Sequence, residues 1–542
     1  KVNNSELQLG ALGRINPKVL PASFLQPIVD MTKETGERQI LANVALTELL
    51  LNGVSIPKEN LIPLKTLLNN VRSTTETEKF IAMNIRCIVN TTLSIPDSVE
   101  EDDLNLTLSI LKDKYPFKSR WDRSPFHLLK PLEIMAMQNE KFAKAVFEKI
   151  IPHAVSDVEQ DLDSKFDFEF MKKNTALRIA SAFPSIISHD SLKPITINII
   201  NYNPKLLSDE YLYSDLIKLN PSAIDPEAIQ AIQNQATSGN SLSAIVLARV
   251  LMFDNKISSN EVVTQMRKFL LKTENSPDDL KWKAATTMLE ALETQPKSEQ
   301  RQKDLQWLID NFLKIYDQGL PREIEKQSLV NLLLRAHQLE AKSITKAHTV
   351  KVFEITNSTN LLFDYEKSFK ALLAISRFAP EYINGLSPQI NQLDDNNFTA
   401  DESQLTSAKT ALSVAQYQLL VKQNPDTAED TLWNAISSDT SVSERVRGEI
   451  GLFLRTLDDP STIARIVQQA EKMSENHQPH HRIAANRLRE MIRISEEVAD
   501  AKKDSRLVPL LRLRLANLGR YFQNDDHVRF AAEIALNEIE LI

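Results

Sequence analysis

One spacing constrains this chain more than anything else in it. Between Ser368 and Leu541 the triplet Phe369, Leu373, Ser376 is followed by Ala408, Leu412, Ala415, then Val446, Ile450, Phe453, then Ala484, Leu488, Met491, and last Val528, Ala532, Ala535. Each has the i, i+4, i+7 spacing that sets three side chains on one stripe of a helix. The triplets begin 39, 38, 38 and 44 residues apart. Upstream, Ala176, Ala180, Phe183, then Leu212, Leu216, Leu219, then Val246, Val250, Phe253, then Ala285, Leu289, Leu292, then Leu329, Leu333, Ala336 continue the series. Near the start, Leu41 and Ala45 are matched by Ile81 and Ile85. A stripe returning at this interval predicts stacked helical hairpins, each covering an apolar face its neighbour cannot bury alone. The expected fold is all-α, a right-handed α-solenoid superhelix of about nine to twelve irregular hairpins.

Composition agrees with helix. Ten glycines in 542 residues fall far below the usual ~7%, and aromatic residues are also few. A solenoid grows in one direction, so this length need not divide into separate globular cores. The single cysteine, Cys87, flanked by Ile85, Ile88 and Val89, excludes an intrachain disulfide and reads as a buried thiol in a reducing compartment, hence a cytoplasmic protein. Asn-x-Ser/Thr triplets such as Asn90-Thr91-Thr92 read as chance matches. No run approaches the 18 or so apolar residues of a membrane span. The chain opens on Lys1 and not on Met, which reads as a trimmed start. A net charge of -8 argues against general coating of nucleic acid.

Along the chain, residues 1–22 hold Gly10, Gly13, Pro17 and Pro21 and read as a poorly ordered lead-in. Irregular helical repeats follow over 23–235, and more regular ones over 236–542, continuous with them. Helices are expected at Phe24–Thr32, Arg38–Leu51, Asn60–Val71 and Glu78–Val89. Glu100, Glu101, Asp102 and Asp103 precede a helix at Leu104, where acids suit the positive end of its dipole. Tyr115 to Pro131, with Trp121, Pro116 and Pro125, is expected to be irregular and to interrupt the repeat. Acids at Asp157, Glu159, Asp161 and Asp163 imitate a calcium loop. They fail its test, because Leu162 stands where the turn glycine belongs and Phe168 where the bidentate glutamate belongs. Ile195–Ile200 and Val350–Thr356 are β-branched enough to pass for strands, yet their place among helices favours helix.

The recurring unit resembles the HEAT repeat, whose second helix commonly carries Asp, then Val-Arg, then a pair of alanines and an apolar pair. Asp525, Val528-Arg529, Ala531-Ala532 and Ala535-Leu536 match it most fully. Asp439, Val446-Arg447 and Ile450 match in part, and Asp279, Lys283, Ala284-Ala285 and Leu289 keep the alanines with Trp282 in the valine's place. The resemblance runs from about residue 23 to the end and is strongest beyond 240. It implies small residues for close helix approach, an Asp–Arg pairing between successive repeats, and the work of an interaction scaffold. HEAT proteins include phosphatase and adaptor subunits, transport receptors and chromosome-organising subunits, with occasional nucleic-acid enzymes.

Catalytic and metal motifs do not emerge. His477, His480 and His481 near Glu475 surround a proline-containing turn and read as a polar interhelix turn. No glycine-rich phosphate loop, nucleophile elbow or His-Glu-x-x-His helix occurs, so no catalytic residue, metal or cofactor is expected. One surface row is more informative. Lys370, Lys409, Arg447 and Arg529 directly follow the first stripe residue in four of the five last repeats. Eight residues on come Tyr417, Arg455 and Arg493, with Arg489 one turn before the last. Along five second helices these eight residues, with Ser413 and Gly451 among them, would extend a basic groove over roughly 40 Å.

The row fits pairing between repeats, the usual work of the HEAT arginine. It also fits a concave site for a partner protein's acidic or phosphorylated segment, which arginine holds in bidentate fashion, or contact with an anionic headgroup. The leading reading is a noncatalytic protein-binding scaffold or adaptor. Two others stay open: a nucleic-acid-binding HEAT-like protein, with base chemistry around Tyr417 and Arg455, and a secreted bacterial effector that grips a host protein in the host cytosol.

Overall fold

The computed structural model describes residues 22–51, 54–73, 78–112, 124–154, 173–201, 208–272, 278–317, 324–358, 365–392, 402–437, 442–475, 479–508, 511, 512, 514, 515, 518 and 526–539. Among these, secondary structure is helical throughout, α-helices joined by short turns of 3-10 helix. The chain divides into two compact units, Lys1–Ser238 and Gly239–Ile542.

The first unit contains α1 (Ala22–Met31), α2 (Glu37–Leu51), α3 (Leu64–Arg72), α4 (Glu78–Ser94), α5 (Glu101–Lys112), α6 (Ser124–Ala136), α7 (Glu140–Ala154), α8 (173–182), α9 (His189–Ile200), α10 (Ser208–Leu219) and α11 (Pro226–Thr237). They form two rows. Helices α2, α4 and α6 pack side by side in one, and α3, α5, α7, α9 and α11 in the other. Ion pairs place α8 between its row neighbours: Arg178 lies 3.2 Å from Glu133 of α6, and Lys173 lies 3.0 Å from Asp209 of α10. Gly36, with φ of +77°, closes the first hairpin in a conformation that favours glycine.

The second unit contains α12 (Ser241–Phe253), α13 (Ser259–Lys272), α14 (Asp278–Glu293), α15 (Glu299–Asp317), α16 (Ile324–Leu339), α17 (Lys346–Ser358), α18 (Tyr365–Phe378), α19 (Pro380–Asn384), α20 (Ser387–Gln392), α21 (Glu402–Gln423), α22 (Pro425–Ser437), α23 (Val442–Asp458), α24 (Ile463–Glu475), α25 (Pro479–Lys503) and α26 (Asp526–Ile539). Helices α12, α14, α16, α18, α21, α23, α25 and α26 pack in order as one row of second helices, and α13, α17, α22 and α24 back onto α14, α18, α23 and α25. This is the stacked-hairpin packing that the stripes demand. Leu373, Ser376, Ala408, Leu412, Ala415, Val446, Ile450, Phe453, Ala484, Leu488, Met491, Val528, Ala532 and Ala535 are all buried. All but Ser376 belong to one apolar core that runs from Ile245 to Ile539. Each fully buried leucine or isoleucine in it is worth about 1.5–3 kcal/mol.

Proline ends several helices in the same way. Ile95, Phe183, Asn220, Ala379 and Asp459 each precede a proline, and each has φ between −132° and −141°. The proline ring drives the preceding residue out of the helical region, so the second helix stops there and the chain turns.

Two expectations need correction. Residues 124–131, expected to be irregular, belong to α6, with Pro131 inside it. Pro125 falls in the first turn, where its missing amide costs little. The interior cost of Pro131 is outweighed because Leu128, Leu129, Leu132, Ile134, Met135 and Ala136 are each at most 1% exposed. His480 and His481 are not in a turn: they open α25, and His481 Nε2 lies 3.2 Å from the Ser437 carbonyl oxygen. The two β-branched stretches are helical, in α9 and α17. Residues 1–21, 113–123 and the acidic 157–169 loop lie outside the described residues, as do Asp439 and Asp525.

Candidate interaction site on the C-terminal repeats

The ion pairs between helices carry the repeat interval as plainly as the apolar stripes do. Lys141–Glu101, Arg178–Glu133, Arg249–Glu290, Arg267–Asp304, Arg301–Glu340, Arg335–Glu293, His348–Asp310 and Arg487–Glu449 join residues 37 to 45 positions apart. Arg86 pairs with Glu48 in the same manner. The innermost is Arg249–Glu290, whose guanidinium donates to both carboxylate oxygens at 2.5 and 2.6 Å while both side chains are almost wholly buried. Bidentate geometry of this kind sets the register of α12 against α14.

Among the described residues three side-chain pairs reach farther, and all involve the last five second helices. Arg377, in the last turn of α18, donates to Asp458 at the end of α23, 2.8 Å away and 81 positions on. The same guanidinium donates to Glu538 at the end of α26 at 2.8 and 3.1 Å, across 161 positions. His527, at the start of α26, lies 2.5 Å from Glu449 of α23, 78 positions earlier. Lys502 of α25 adds a 3.6 Å contact to Glu538. Accordingly α26 packs on α25, on α23 and on α18, so the row of second helices curls until its last member meets its fifth from last. The groove expected to run 40 Å along five side-by-side helices therefore bends back on itself.

Electrostatics follow from this packing. Burial alone would raise the Glu538 carboxyl, but Arg377 and Lys502 outweigh it and hold the group below its usual range. For Arg377 burial opposes the charge, yet Glu538 and Asp458 keep it firmly protonated.

The eight residues singled out from the sequence are placed as follows. The side chain of Lys370, on α18, lies outside the described residues. Lys409 on α21 is half-buried and engaged. Tyr417, expected on the groove surface, is only 1% exposed, and its hydroxyl has no hydrogen-bond partner. It is buried because Gly451 leaves room for it: a Cβ there would stand 3.1 Å from the Tyr417 ring and 2.4 Å from Leu432. Burial pushes the phenol well above its ordinary pKa, with Asp458 adding to the shift. Arg447 on α23 is half-buried and makes no ion pair among the described residues. Arg455, on the same helix, meets only Asp459, one turn on at 3.3 Å, and stays about one-third exposed.

On α25, Arg489 turns toward α24, with Ser474 Oγ at 3.5 Å and Asn486 Oδ1 at 3.2 Å. Arg493 lies 3.5 Å from Glu497, which Arg514 also holds at 2.6 Å. Burial raises the Glu497 carboxyl in spite of both arginines. Arg529, half-buried, lies 5.1 Å over the ring of Phe530. The structure thus sets Tyr417 in the electrostatic surroundings of Arg377, Arg455 and Asp458, while Arg489 contacts α24 and Arg493 shares Glu497 with Arg514.

Sequence reasoning missed Arg377, Asp458, Lys502, Glu538, His527 and Glu449. Arg249 and Arg487, each three residues beyond its stripe's first member, offered a recurring signal for the neighbour-to-neighbour pairs. Nothing local marks a partner 161 positions away.

Among the described residues no three His, Cys, Asp or Glu side chains are grouped to hold a metal ion, and no helix is long and apolar enough to cross a membrane. No known protein-family profile and no curated protein matches the chain. Among solved structures it is similar to importin beta in an ammonium sulfate condition, at 11% identity and a TM-score of 0.37 over 99% of this chain and 83% of that one. Importin beta in a polyethylene glycol condition gives 10% identity and a TM-score of 0.35, over 98% and 90%. A Kap121p mutant gives 12% and 0.38, over 96% of this chain and 63% of that one. At such values the solenoid assignment rests on this chain's own stripes and helix contacts.

Proposed function

We propose that the chain is a noncatalytic, cytoplasmic protein-binding scaffold. It holds an acidic or phosphorylated segment of a partner against the C-terminal repeats, with Arg447 and Arg455 of α23 as the central contacts and Arg493 in support. One observation carries this reading. Arg447 makes no ion pair among the described residues, whereas Arg249, Arg335, Arg377 and Arg487 each answer a carboxylate on another helix. Among the described residues Arg455, two turns along, pairs only with the partly exposed Asp459 just past the end of its helix, and such a pair contributes little. Two guanidiniums on one helix, available to an incoming anion, suit a carboxylate or phosphate ligand.

The test is charge reversal of Arg447, Arg455 and Arg493 to glutamate together. Binding of a labelled peptide rich in glutamate and phosphoserine is followed by anisotropy, and helicity by circular dichroism. The triple variant should keep its helicity and lose at least about tenfold in affinity, and wild-type binding should weaken with added salt. Equal binding by variant and wild type would sink the reading. A gel shift with DNA or RNA at low salt, absent with the peptide, would favour nucleic acid instead.

A further inference from the structure

Two groups at the ends of helix α26 sit the wrong way round for a helix on its own. Glu538 is its next-to-last residue and His527 its second. An acid at a helix C-terminus and a protonatable ring at its N-terminus both oppose the macrodipole. Asp458 repeats the arrangement as the last residue of α23. These groups gain nothing from their own helices. What they gain is on others: Glu538 receives Arg377 at 2.8 Å and Lys502 at 3.6 Å, and His527 meets the buried Glu449 at 2.5 Å.

The apolar side of α26 is equally committed. Val528, Phe530, Ala531, Ala532, Ile534, Ala535 and Ile539 are all buried in the core shared with α18, α23 and α25. The helix is therefore fastened at its end by ion pairs, at its start by the His527–Glu449 contact and along its length by packing, across helices that its place in the repeat order would not require it to touch.

From this geometry we infer that α26 is a self-bound acidic strap: its Glu538 occupies Arg377 and Lys502 as the carboxylate of an acidic partner would, and such a partner must displace it. The inference rests on the acidic-partner reading above and adds a regulator to it. Arg377 is the pivot, because it is shared by the strap and by Asp458, which lies one turn beyond Arg455 on α23. Release of Glu538 leaves Arg377 and Lys502 to an incoming segment. Binding and strap release are then coupled reciprocally.

Glu538→Gln removes the strap's charge in the full chain, and Lys502→Gln loosens the same anchor at a site 45% exposed, so that variant leaves no buried group unpaired. Two readouts are taken on each: deuterium uptake in 526–539, and affinity for the labelled peptide rich in glutamate and phosphoserine. The expected result has three parts. Glu538→Gln takes up deuterium faster in 526–539 and binds the peptide about three- to tenfold more tightly, and saturating peptide raises wild-type uptake in the same segment. If Glu538→Gln binds the peptide as wild type does, and peptide leaves uptake in 526–539 unchanged, the strap is overturned while the scaffold reading survives. If uptake rises in Glu538→Gln but neither variant nor wild type binds the peptide, the acidic-partner reading fails and takes the competition with it.

Discussion

Two stretches of the second unit use the same stripe and the same kinds of charge, yet they are tied together differently. From α12 to α17 the ion pairs between helices join one hairpin to the next, as in Arg249–Glu290, Arg301–Glu340 and His348–Asp310. From α18 to α26 that ladder persists in Arg487–Glu449, and contacts spanning 78, 81 and 161 positions are laid over it. A ladder of neighbours can be lengthened one rung at a time, and its stability is close to a sum over rungs. Contacts that skip repeats end that additivity, since loss of one loosens several helices together. The difference lies in curvature more than in composition, and it is set by a final helix that turns inward.

The largest expected effect breaks a rung. Glu290→Ala strands Arg249 in the core and should cost about 3–5 kcal/mol in urea denaturation, whereas replacing both residues with apolar ones should be close to neutral. If the first stretch is a ladder, the faster deuterium exchange in Glu290→Ala stays within α12 to α14. Exchange rising equally in α26 would erase the contrast. Next comes Gly448→Ala in the second stretch. The added Cβ would stand 2.6 Å from Ile436 Cγ1 and 2.8 Å from the Leu432 carbonyl oxygen, and the latter is backbone that cannot swing aside. Overpacking should outweigh the better helix propensity of alanine and leave a net loss of about 1–2 kcal/mol, visible in the urea midpoint.

A smaller effect separates the stretches by pH. Because Arg377 and Lys502 hold the folded Glu538 carboxyl below the ordinary glutamate range, its contribution is present above that range and fades as pH falls through the folded value. Exchange in 526–539 of the wild type should therefore quicken as the medium is acidified below about pH 4.5, relative to the same segment in Glu538→Gln. Exchange in α12 should not follow that difference. Least of all, Lys141→Ala in the first unit removes a pair whose members are 72% and 57% exposed and should leave the urea midpoint unmoved.

Much of the fold was readable in the sequence because a repeat is a local pattern. Leu373, Ile450, Leu488 and Ala532 announce their burial by spacing alone, and prolines after Ile95, Asn220 and Asp459 announce where helices stop. Pro131 misled, since a proline in the chain speaks against helix while six buried neighbours speak for it more strongly. The candidate site was legible only as a row of positive residues. Spacing put Tyr417, Arg455 and Arg493 in one register, but whether a residue in that register meets solvent depends on its neighbours. Gly451 makes room to bury Tyr417, and Glu497 holds Arg493 and Arg514 together. Glu538 was invisible for a simpler reason: its partner is chosen by how tightly the row curls, which no window of sequence contains.

Cys87 is wholly buried on α4, its sulfur 3.9 Å from the Ile40 carbonyl oxygen, and burial pushes the thiol up to about 12. As the chain's single cysteine it makes the native protein its own gauge of breathing in the first hairpins. A maleimide or disulfide reagent can reach it only while α2 and α4 are parted, so the labelling rate at low reagent reports the population of that opening with no engineered probe and no competing signal.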